Sequence, residues 1–137
     1  MKNHQTSIAD KLPAEFAERL NKLKQSFLDS LPDRLSCVDA ALEVVARDSS
    51  SLAELQQVLT PLRAKTHDLA GAAGTFGFRK LSRLAHEAEI VCEELLACDD
   101  MPSRDERLII SELFAAIRES GSRCLANSTL TNEPHSA

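Results

Sequence analysis

The chain has 137 residues, which is enough for one domain with one core. Its formal net charge is −5. It has no tryptophan or tyrosine and only four glycines. No apolar run approaches the roughly 18 residues of a membrane span, and the N-terminus lacks the apolar segment of a secretory signal. A cytoplasmic location is therefore expected. The acidic balance and the lack of aromatic interleaving exclude nucleic acid as an expected partner.

Five helical segments are predicted from apolar residues that recur at spacings of three and four. The first runs from Ile8 to Phe27 and the second from Leu31 to Val45, with Pro32 either kinking one long helix or starting a new one. A serine in the break at 47–51 can cap the third segment, which should end near Gly77. The fourth spans 81–95, and the fifth runs from the connection at 99–103 to about Leu125.

Short connections between these segments favour antiparallel neighbours. The predicted fold is all-α: an up-and-down antiparallel four-helix bundle with an additional N-terminal helix. The bundle is expected over residues 8–127, between disordered tails at 1–7 and 128–137. The four cysteines form no Cys-x-x-Cys pair, so free thiols that pack as small hydrophobes are the main expectation, with a disulfide or zinc site as the alternative.

The third segment contains one histidine, His67, among small residues. At about 100° per residue, the apolar residues of this segment form a stripe centred about 130° from His67. That stripe consists of Leu55, Leu59, Leu62, Thr66, Leu69, Ala73 and Phe76. His67 is therefore predicted to point outward, away from the core.

Small residues surround the predicted outward histidine. Ala64, Ala70, Gly71 and Gly74 all lie within about 60° of it, together with Arg63. Each glycine inside a helix costs about 1 kcal/mol relative to alanine, but it permits close approach of a bulky group. The pattern indicates a docking surface around one imidazole.

The segment His67-Asp68-Leu69-Ala70-Gly71, followed by Gly74 and Gly77, resembles the motif of histidine phosphotransfer (HPt) domains of multistep two-component phosphorelays. The Leu-Pro pair at 31–32 and the helix at 81–89 resemble the helices that precede and follow that motif. The resemblance covers about residues 25–98. It implies that His67 is the phospho-accepting residue.

One residue departs from the family pattern: Ala70 stands where the family usually has a lysine that offsets phosphoryl charge. Arg63, one helical turn before His67, is the first candidate to replace that lysine. The partner could instead supply the charge, or phosphotransfer could be weak or lost.

Charge is unevenly distributed along the chain. Between residues 63 and 83 there are five basic residues and one acid. Most of the acids lie outside this stretch, among them Glu87, Glu89, Glu93 and Glu94. The basic residues are Arg63, Lys65, Arg79, Lys80 and Arg83. They predict an acidic partner, although solvated helix faces explain any single one equally well.

The resemblance implies that His67 accepts a phosphoryl group from a receiver-domain aspartate and passes it to another receiver. The expected partners are response-regulator receiver domains and a hybrid sensor histidine kinase. The receiver would bring the Mg²⁺, so no cofactor of the chain itself is expected. A monomeric carrier without kinase activity of its own is predicted, and the methionine start favours a separate carrier over a segment of a larger hybrid kinase.

Two other functions stay open. The first is a module that binds a receiver or kinase without carrying phosphate, which Ala70 favours. The second is a metal-binding bundle, although no Glu-x-x-His pair occurs in the sequence. His86 is placed on the polar side of the fourth segment and interpreted as incidental; His4 and His135 fall in the tails.

Overall fold

The computed structural model describes the backbone of residues 13–132 and the side chains of residues 13–128. Within this range the chain is all-helical, with helices α1 (Ala14–Ala46), α2 (Leu52–Thr75), α3 (Arg79–Ala97) and α4 (Arg104–Asn132). The helices pack in the cyclic order α1–α2–α3–α4, and α4 closes the ring on α1. The predicted four-helix bundle is confirmed.

The first two predicted segments form a single helix, because α1 continues through Pro32. Leu28, Leu31 and Leu35 keep one helical spacing across the proline and are all buried, so core packing holds both halves on one axis. The additional N-terminal helix is therefore not a separate element within residues 13–132. Residues 1–12, which include Ile8 and the predicted tail at 1–7, lie outside the described residues.

Side-chain caps fix where α2 and α4 begin. The Ser51 hydroxyl accepts a hydrogen bond from the Glu54 backbone N–H, and the Glu54 carboxylate accepts one from the Ser51 N–H, both at 3.1 Å. Ser103 and Glu106 repeat this capping box at α4, with distances of 3.1 and 2.7 Å. The predicted serine cap of the His67 helix is thus confirmed.

The end of α2 is a Schellman motif. The Phe78 N–H donates to the Ala73 carbonyl at 2.8 Å, and the Gly77 N–H donates to the Gly74 carbonyl at 3.2 Å. Gly77 has a φ of +87°, a conformation that glycine adopts without the penalty of a Cβ. The predicted termination near Gly77 is confirmed, and it turns the chain directly into α3.

Neighbouring helices run antiparallel, as the contacts between them show. Along the α2–α3 pair, His67 contacts Glu89 and Gly74 lies beside Ser82. Along the α1–α4 pair, Arg118 lies 3.0 Å from Asp39, and a Cβ on Gly121 would come within 2.7 Å of a Leu35 methyl group. The absence of a side chain at Gly121 therefore sets the close approach of α4 to α1.

The structure also tests the predicted end of the last helix and the predicted state of the cysteines. α4 extends to Asn132, beyond the predicted helix end near Leu125 and the predicted start of the tail at residue 128. Residues 133–137 lie outside the described part of the chain. All four cysteines are free thiols, and Cys92 is fully buried. None of the helices between residues 13 and 132 offers a stretch long and apolar enough to cross a membrane.

Candidate functional site

His67 lies on the outer face of α2. The predicted apolar stripe is the buried face of this helix: Leu55, Leu59, Leu62, Thr66, Leu69 and Ala73 are all inaccessible, and Phe76 is half-buried. Burial of that stripe directs the histidine to solvent, and 70% of its side chain is exposed. The predicted outward direction of His67 is confirmed.

The His67 ring is held by a carboxylate from α3. Its Nδ1 lies 2.8 Å from the Oε2 of Glu89, whose side chain is only 16% exposed. An ionised carboxylate only accepts hydrogen bonds, so Nδ1 carries the proton and donates it to this contact. Nε2 then keeps its lone pair, and this nitrogen is the one available for nucleophilic attack.

The second oxygen of Glu89 faces another histidine. Oε1 lies 3.7 Å from Nδ1 of His86, one helical turn earlier on α3. Glu89 was expected away from the basic residues around His67, and that expectation is wrong because Glu89 contacts the ring. His86 does lie on the polar side of α3, as predicted, but its closeness to Glu89 was not anticipated. The spacing of three residues between them on the solvent side of α3 was a usable signal, but nothing in it showed that this side faces His67.

Two shallow depressions flank the His67 ring. One, of about 570 Å³, is lined by Arg63, Ala64, His67, Asp68, Glu89 and Glu93. The other, of about 420 Å³, is lined by His67, Ala70, Gly71, Ser82, His86 and Glu89. Four of the predicted site residues (Arg63, Ala64, Ala70 and Gly71) are therefore beside the histidine. The arrangement leaves the His67 ring exposed between two open depressions.

Comparison with protein families matches the Hpt domain over residues 22–120, which is most of the chain. This chain belongs to the Hpt domain family. Hpt domains are phosphocarriers rather than enzymes and interact with receiver domains, so membership supports a histidine phosphotransfer role in phosphorelays. Comparisons with curated proteins and with solved structures gave no significant match.

The two glycines of this Hpt domain that follow His67 differ in their surroundings. A Cβ on Gly71 would meet nothing within 4 Å, whereas one on Gly74 would lie 3.1 Å from the Ser82 hydroxyl. Gly71 therefore borders open space, as predicted for a docking surface. Gly74 is exposed as well, but its lack of a side chain also accommodates Ser82 of α3, and its docking role stays a prediction.

The basic residues of this Hpt domain that were predicted to surround the docking site do not all lie beside His67. Arg63 lines a depression beside His67. Arg79, Lys80 and Arg83 are exposed on the first two turns of α3 and line neither depression. Glu89 and Glu93 line the site, whereas Arg79, Lys80 and Arg83 do not. The immediate surroundings of His67 are therefore mixed in charge rather than basic.

The remaining alternative from the sequence was a metal-binding bundle. Among residues 13–132, no three histidine, cysteine or acidic side chains are arranged to hold a metal ion. His67, His86 and Glu89 do converge, but Glu89 is engaged by both imidazoles. The geometry of this Hpt domain is that of an oriented nucleophile.

Proposed function

We propose that His67 accepts a phosphoryl group on Nε2 from a receiver-domain aspartate and passes it to another receiver. The observation that supports this most directly is the exposed ring whose Nδ1 is held at 2.8 Å by Glu89. In the forward step the Nε2–P bond forms, the aspartyl O–P bond breaks, and the aspartate leaves as a carboxylate. The reverse step loads the next receiver.

Glu89 suits this chemistry electrostatically. A neutral imidazole that retains its Nδ1 proton acquires positive charge on the ring when Nε2 is phosphorylated. A carboxylate already in contact with Nδ1 stabilises that charge without reorganisation. Phosphoryl transfer depends mainly on positioning and electrostatics, so the remaining requirement is a matching partner. The Mg²⁺ and lysine for the transfer belong to the receiver in this proposal.

The partners proposed are response-regulator receiver domains and a hybrid sensor histidine kinase, and the chain is proposed to act as a cytoplasmic monomer. Gly71 and the alanines at 64 and 70 would let the receiver approach His67 closely, and Arg63 would face the phosphoryl group or the acidic pocket of the receiver. Arg79, Lys80 and Arg83 would extend the contact along α3 through long-range attraction.

The test is phosphoryl transfer from a panel of phosphorylated receiver domains, followed as acid-labile, base-stable label on this chain. Label is expected on the wild type and none on His67→Gln. Since the side chain is mostly exposed, His67→Gln should change the free energy of unfolding by no more than about 0.5 kcal/mol. Absence of label from every receiver would contradict the proposal.

A second candidate function is a module that binds a receiver or kinase without carrying phosphate, and the observation that favours it is Ala70, which leaves a methyl group where the related domains place a cation. Measurable receiver binding together with no label would support this alternative. Restoring the cation with Ala70→Lys would then be expected to produce label.

A further inference from the structure

His86 has a defined partner at the site that the proposed transfer does not use. Its side chain is 65% exposed, and its Nδ1 lies 3.7 Å from Oε1 of Glu89, the carboxylate whose other oxygen holds His67. One partly buried carboxylate therefore faces two imidazoles, one from each of the helices α2 and α3.

The depression beside the two rings contains few side chains that can carry charge. It is lined by His67, Ala70, Gly71, Ser82, His86 and Glu89, and no described residue of α1 or α4 lines it. Its titratable groups are the two histidines and Glu89. Apart from the phosphorylated ring itself, His86 is the one group in this lining that can carry positive charge.

A phosphoryl group on His67 would add close to two negative charges beside the Glu89 carboxylate. Arg63 lines the other depression, together with Glu89, Glu93 and Asp68. Ala70 and Gly71, which have short side chains, line the same open depression as His67 and His86.

We propose that protonated His86 supplies the positive charge that stabilises the phosphoryl group on His67, and that phosphorylation of this domain therefore depends on pH through a second histidine. This inference rests on the proposed role of His67. Only the protonated imidazole carries this charge, so the proposal predicts that the rate of labelling changes with pH through His86. Arg83, one turn before His86 on the exposed side of α3, keeps its charge throughout and contributes no pH dependence.

The test uses phosphoramidate as the phosphoryl donor, so that no receiver is needed. The Nε2–P bond forms, the donor P–N bond breaks, and ammonia leaves. Initial rates of labelling are measured at pH 6 and pH 8 for the wild type, His86→Gln and His86→Lys, with His67→Gln as the blank. Dividing each rate by that of His86→Gln at the same pH removes the pH dependence of His67 and of the donor.

At pH 6 the wild type is expected to be labelled about five times faster than His86→Gln, and at pH 8 the two rates should be nearly equal. A factor of about five is what one charge contributes at short range near a protein surface. His86→Lys should keep a ratio of about five at both pH values. A wild-type ratio that is the same at pH 6 and pH 8 would overturn the inference, because a merely structural role does not follow the charge. So would the absence of His67-dependent label from phosphoramidate. Failure of the proposed function appears separately, as absence of label from every receiver domain.

Discussion

The Ser82 hydroxyl donates a hydrogen bond of 2.7 Å to the Ala70 carbonyl, which joins α3 to α2 one turn after His67. A Cβ at Gly74 would lie 3.1 Å from that same hydroxyl oxygen. The glycine thus leaves room for a contact that fixes α3, and with it Glu89, against the histidine helix. Gly74, an exposed residue of α2, therefore also supports the packing that positions the site.

The substitution Gly74→Leu is expected to destabilise the fold, because a Cβ there would lie only 3.1 Å from the Ser82 hydroxyl and would disturb its hydrogen bond to the Ala70 carbonyl. The expected loss is about 1–3 kcal/mol, measured by urea denaturation. Gly71→Leu is the matched control: Gly71 borders open space, so this variant should gain up to about 1 kcal/mol from helix propensity while losing receiver affinity. Equal stabilities for the two variants would contradict the different roles assigned to these glycines.

Removal of the Glu89 carboxylate should impair His67 without unfolding the bundle. Glu89→Ala is expected to slow phosphoryl acceptance about tenfold, which corresponds to about 1.4 kcal/mol of lost stabilisation of the charged ring. It should also release the fixed tautomer, visible as a change in the imidazole ¹⁵N shifts of His67. Glu87→Gln, on the exposed side of the same helix, is the control and should leave those shifts unchanged. Unaltered His67 shifts in Glu89→Ala would show that the contact does not orient the ring.

The capping box of α4 predicts a specific acid sensitivity. Hydrogen bonds from Ser103, the backbone N–H first and then the hydroxyl, lower the pKa of Glu106 below 4.5. The folded state therefore favours the ionised carboxylate, and this stabilisation is present above the ordinary glutamate range and is lost as pH falls through the lowered value. Glu106→Gln keeps an acceptor oxygen but cannot ionise, so its melting temperature should fall less than that of the wild type between pH 5 and pH 3. Glu112→Gln, an exposed glutamate on the same helix, should retain the wild-type slope.

The four thiols should differ in reactivity. Burial, followed by the nearby charges of Glu89 and Glu93, raises the pKa of Cys92 to about 12. The thiolate is the reactive species, so Cys92 should resist alkylation in the native protein at pH 8 and react only on unfolding. Cys98 is exposed and serves as the internal control. Mass spectrometry after timed alkylation separates the two sites, and rapid native modification of Cys92 would contradict its placement in the core.

The sequence of α2 by itself determined the inner and outer faces of this helix. Its apolar residues follow one helical period, and that period alone fixes which side is buried and that His67 points outward. The capping serine before α2 and the terminating Gly77 were also predictable, because helix ends depend on local hydrogen bonds and local φ. The period likewise predicted helical structure on both sides of Pro32, although only core packing decided that the two halves form one helix.

Tertiary structure decided which groups share the site with the histidine. Glu89 and His86 are 22 and 19 positions away along the chain, and their approach to His67 depends on how α3 is rotated and shifted against α2. That register is set by contacts between helices, such as Ser82 with Ala70 beside Gly74, which no single-helix period contains. The sequence therefore determined the nucleophile and its exposure, whereas the packing of two helices determined the carboxylate that orients it and the second histidine beside it.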